Sequence, residues 1–72
     1  MMYNIELNIK EIPVQLIDVM KQVGKNNEFK TFYHGSDHLV FDSDRGLKFS
    51  KLISELDQVC KVYNVDYVSL LV

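Results

Sequence analysis

The side chains best equipped for chemistry are gathered between positions 34 and 46. The stretch "HLVFDSDRGL", residues 38 to 47, carries Asp42 and Asp44 with one residue between them and a glycine, Gly46, just beyond. Carboxylates spaced this way can divide the roles of nucleophile and acid/base, or share a hard cation. Immediately upstream, His34 and His38 flank "GSD". Two imidazoles across a turn can hold a transition-metal ion when the turn sets them on one face. Cys60 is the only thiol.

Each of these has a simpler reading. The aspartate pair resembles the motif of phosphatases of the haloacid dehalogenase type, but that motif continues with glycine and threonine where Arg45 and Gly46 stand here. Such enzymes also need a large doubly wound sheet, with a phosphate-binding lysine and further magnesium-holding acids downstream. An EF-hand loop counted from Asp42 would require glycine at Leu47 and glutamate at Ile53, and both positions are apolar. The stretch therefore reads as a strand-to-helix turn in which Ser43 or Asp44 caps the next helix and Gly46 eases the bend. For the histidines, glycine at the first central position suits a two-residue type II′ turn, Gly35-Ser36. That register pairs His34 with Asp37 and sends His38 to the other face, whereas a three-residue loop would set the two imidazoles opposite each other. The two-residue turn has the better turn chemistry, so no metal and no cofactor is expected. Cys60 lies on an apolar helical stripe between Leu56 and Tyr63 and reads as a small buried hydrophobe. No catalytic residue is assigned, and the protein is expected not to be an enzyme.

The elements that position these residues follow from periodicity. Tyr3, Ile5, Leu7 and Ile9 alternate with Asn4, Glu6 and Asn8, as in a strand with one buried and one wet face. Pro13 suits a first helical turn, Leu16, Val19, Met20 and Val23 mark one helix face, and Gly24 followed by "KNN" reads as a stop, giving a helix over 12–24. "EFKTFYHGSDHLVFD" reads as a hairpin. Phe49, Leu52, Ile53, Leu56, Val59, Cys60 and Tyr63 form the strongest helical stripe, with Asn64 as a left-handed stop. "VDYVSLLV" reads as a last strand, with Val68, Leu70 and Val72 on one face and Tyr67, Ser69 and Leu71 on the other.

The order strand, helix, strand, strand, helix, strand resembles the ferredoxin-like superfold. That resemblance implies an α+β sandwich, βαββαβ, with a four-stranded antiparallel sheet and both helices on one face. Residues 1–72 are expected to form a single domain, whose core lies near the lower limit for stability without a staple. One cysteine excludes an internal disulfide. With 8 basic against 10 acidic side chains and no long run of either sign, nothing favours nucleic acid or an anionic membrane. The first strand turns Glu6 and two asparagines to the open face, where RNA-recognition modules place base-stacking aromatics. Small-molecule-sensing ACT domains share the element order but have glycine in the loop that is "KEIP" here. The glycine-rich arginine loop of acylphosphatases and the cysteine pair of metal-carrier domains are absent. No secretory or membrane-spanning stretch is apparent, so a cytoplasmic location is expected.

What remains is a small non-enzymatic protein-binding module. Its expected contacts are Tyr33 or Phe32, Val40, Tyr67 and Leu71 on the open sheet face, and the unguarded edge of the last strand around Ser69. The small size and the Asn/Lys/Ile-rich composition resemble, in kind, the compact proteins with which bacteriophages inhibit host or defence proteins. The alternative is a homodimeric regulatory or small-molecule-sensing domain with its ligand between subunits.

Overall fold

The computed structural model describes residues 2–72. Strand β1 (Tyr3–Asn8) is followed by helix α1 (Val14–Asn26), strands β2 (Lys30–His34) and β3 (His38–Ser43), helix α2 (Phe49–Val62) and a single helical turn, α3 (Tyr67–Leu70). The sheet has three strands in the order β1-β3-β2, and both neighbouring pairs are antiparallel. Ile5 and Leu7 of β1 and Leu39 and Phe41 of β3 face inward, against Leu16 and Met20 of α1 and Leu52, Leu56 and Cys60 of α2. Each large apolar side chain buried this way contributes about 1.5–3 kcal/mol. Asn27 is buried beside this cluster, and its Nδ2 donates to the Val23 carbonyl at 2.8 Å and to Glu55 Oε1 at 2.6 Å, tying the end of α1 to α2.

The four-stranded ferredoxin-like sheet is corrected at its last element. "DYVSL" winds into a helical turn because Asp66 caps it. The Asp66 side chain accepts from the Val68 N–H at 3.2 Å, and its carbonyl accepts from both the Ser69 N–H at 3.1 Å and the Ser69 hydroxyl at 2.7 Å. Burial agrees with a helical spacing: Tyr67 is in the core and Leu70 packs against it, while Val68 is exposed. Only the end of the chain approaches the free edge of β1, through one antiparallel bridge between Leu7 and Leu71 and a Val72 N–H donated to the Glu6 carbonyl at 3.1 Å. There is thus no fourth strand among the described residues, and no strand edge at Ser69.

Two finer expectations also change. Gly24 lies inside α1 and does not end it: a Cβ there would sit 2.8 Å from Phe41 Cδ2 and from Thr31 Cγ2, so glycine lets the helix press onto the sheet. The helix stops at Glu28, which takes φ 64°, while the Phe29 N–H reaches back to the Gly24 carbonyl at 2.9 Å. α2 closes the same way at Asn64 (φ 58°), with the Val65 N–H on the Cys60 carbonyl at 2.8 Å, as its sequence suggests. Neither Ser43 nor Asp44 caps α2, whose first residue follows Lys48. Instead the Ser43 hydroxyl accepts from the Gly46 N–H at 3.0 Å and closes the turn, and Gly46, at φ 58°, leaves room for the Tyr3 ring.

Candidate functional site on the open sheet face

Among the described residues, no helix covers the outer face of the sheet, since both long helices pack on the inward-facing side. Strand pleating turns Asn4, Glu6 and Asn8 of β1, His38, Val40 and Asp42 of β3, and Lys30, Phe32 and His34 of β2 toward it. Val40 is at its centre, directly opposite Glu6 on one side and Phe32 on the other. Although Val40 is buried, it lies outside the core cluster, which fits its position on this outer face.

The hairpin register differs from the expected one, and the difference decides the chemistry. His34 pairs with His38 across a three-residue loop, Gly35-Ser36-Asp37. The physical reason lies under α1. In the observed register Thr31 is opposite Phe41, and its small side chain meets Gly24 where the helix crosses. A two-residue turn would pair Lys30 with Phe41 and Phe32 with Leu39, putting a lysine in place of Thr31 under Gly24 and turning Thr31 outward, since a one-residue slip exchanges the two faces of a strand. Gly35 takes φ 69° to close the longer loop, and the Asp37 carbonyl accepts from the Ile9 N–H at 2.7 Å, fastening the hairpin tip to the chain leaving β1.

This register brings together three side chains from three strands. Among the described residues, Glu6, His34 and His38 are the one group of three whose potential ligand atoms lie within 4.8 Å of one another. His34 Nδ1 is 3.2 Å from Glu6 Oε2, and His38 Nδ1 contacts the same oxygen. The rings stand edge to face, with centroids 6.1 Å apart. Hydrogen bonding from His38 holds the Glu6 carboxyl below its ordinary range, helped by His34 and opposed by partial burial. Neither aspartate of the turn joins the group. Asp42 sits at the other end of the open face, opposite Lys30 and Asn4, and Asp44 is exposed in the loop.

The residues expected to bind a partner are dispersed. Val40 is on the open face. Tyr33 is paired with Leu39 and so leans to the helix side, where Lys21 Nζ lies 5.3 Å from its ring centroid. Tyr67 is only 5 % exposed, Ser69 is within α3, and Leu71 forms the bridge to β1. Glu6 was legible in the sequence as an outward residue of the first strand. Its meeting with the histidines depends on the hairpin register, which the turn residues alone do not determine. No protein-family model, curated protein or solved structure significantly matches the chain. No helix among the described residues is long and apolar enough to cross a membrane.

Proposed function

We propose that the protein is a non-enzymatic binding module that receives an extended segment of a partner protein along the outer edge of β2. One observation carries this reading: β2 is an edge strand whose two adjacent aromatics are both half-exposed, Phe32 at 49 % on the open face and Tyr33 at 52 % on the helix side. An added strand would find main-chain donors and acceptors along the edge and an aromatic contact on each face, the combination used in strand addition. Aromatic side chains are enriched in protein interfaces. Of the usual devices that guard an edge, β2 has only Lys30 at its start, and it has neither proline nor a charged residue at Thr31, Phe32 or Tyr33.

An inhibitor would hold a strand of its target here, and a homodimeric regulatory module would hold the β2 of a second copy. The test is selection of peptides from a displayed random library, repeated with Phe32→Lys and Tyr33→Lys proteins whose circular dichroism matches the parent. Peptides with alternating apolar positions should be retained by the parent and lost by both variants. Binding that survives both lysines would place the interface elsewhere. A parent protein that sediments as a dimer at micromolar concentration, and as a monomer with either lysine, would favour the homodimer.

A further inference from the structure

We infer that Glu6, His34 and His38 form a binding site for one divalent transition-metal ion of the zinc type. The inference is independent of strand addition at β2, since it concerns side chains on the sheet face and not the strand edge.

The donor set is two imidazoles and one carboxylate. Zinc takes such ligands at about 2.0–2.2 Å, which in a tetrahedral site places ligand atoms about 3.3 Å from one another. The His34 Nδ1 to Glu6 Oε2 separation of 3.2 Å is of that size, and the whole set falls within 4.8 Å. A modest rotation about side-chain bonds is therefore enough to surround an ion, with no movement of the backbone. Imidazole nitrogen selects zinc, copper, nickel or iron over magnesium and calcium, which prefer oxygen.

The supporting structure is rigid. All three ligands stand on strands of one sheet, His34 and His38 as a directly opposed pair and Glu6 diagonal to His38. The Ile9 N–H to Asp37 carbonyl bond holds the hairpin tip against β1. Sites built on strands keep their geometry better than sites on loops. The side chain of His34 is 72 % exposed, which gives an ion a direct approach from solvent. Three protein ligands leave a fourth position for water or for a group from another molecule. Cys60, the only thiol, is fully buried among apolar side chains and takes no part.

Calorimetric titration of untagged protein with zinc chloride in chelator-free buffer tests the inference. The expected result is one ion per chain at micromolar affinity or tighter, weakened at least about tenfold in His34→Ala, His38→Ala and Glu6→Gln, and unchanged in Cys60→Ala. Cobalt(II) should give a visible d–d spectrum without a thiolate charge-transfer band. Circular dichroism of each variant separates lost ligation from lost folding, and Glu6→Gln, which keeps the shape of the side chain, serves if a histidine variant unfolds. Absence of a stoichiometric isotherm in the parent, or an isotherm that all three variants preserve, would overturn the site. Either result would leave peptide capture by Phe32 and Tyr33 untouched.

Discussion

Gly24 is the residue on which the hairpin register rests. Its missing side chain brings α1 onto Thr31 and Phe41, so Gly24→Ala should destabilise the protein despite the better helix propensity of alanine. Overpacking against the sheet costs about 1–3 kcal/mol, which exceeds the propensity gain of about 1 kcal/mol. Urea unfolding would show the lower midpoint, and an unchanged or raised midpoint would mean that the contact is slack. Cys60 and Tyr67 make a second prediction at this scale. Burial pushes the Cys60 thiol up, with Asp57 and Asp66 adding to it, and burial likewise raises the Tyr67 phenol, with Cys60 and Asp57 contributing. Groups whose pKa is raised on folding keep more protons in the native state. Their contribution is fully present below the unfolded values, about 8.5 for cysteine and about 10 for tyrosine, and is lost as pH rises through the higher folded values. Urea midpoints should therefore fall as the pH rises above about 8.5, and Cys60→Ala should flatten the lower part of that fall. A midpoint flat across the range in the parent would contradict the burial assigned to both groups.

At the scale of elements, the two long helices end through left-handed residues that are not glycine. Glu28→Gly should stabilise the protein by about 1 kcal/mol, because a residue with a Cβ is strained in that conformation. The exposed pairing of Glu28 with Lys48 at 3.1 Å is a small loss beside this. Thermal melting would read the gain, and a lower melting temperature would assign Glu28 a larger role in the turn. Asp66→Ala should cost about 1 kcal/mol by removing the cap of α3. The first strand, the stripe of α2 and the existence of the hairpin were legible because their apolar spacing is long and regular. The last element was not, because Val68, Leu70 and Val72 alternate over a stretch too short to separate strand from helix. Asp66 and Ser69, bonding to the local backbone, tip that balance. The end of α1 is hidden for a related reason, since a glycine that serves close packing looks in sequence like one that ends a helix.

At the scale of the whole molecule, a three-stranded sheet covered on one face leaves the other face, and the β2 edge, available for binding. Part of the open face was legible, since Asn4, Glu6 and Asn8 follow from simple alternation in β1, whereas alternation in β3 alone leaves His38, Val40 and Asp42 or, reversed, Leu39 and Phe41 as its outward set. Which aromatic joins them from β2 was not legible, because the choice between Phe32 and Tyr33 depends on how α1 packs over Thr31. The central claim is that β2 is an open edge that accepts a strand. Amide hydrogen exchange, read residue by residue by NMR on the free protein and on its complex with a selected peptide, tests it most directly. The account predicts that the outward-pointing amides of residues 30–34 exchange rapidly in the free protein and become protected in the complex, while those shared with β3 are slow in both. Rapid exchange of the outward β2 amides that persists in the complex, with new protection confined to residues 67–72 or to the helices, would contradict it.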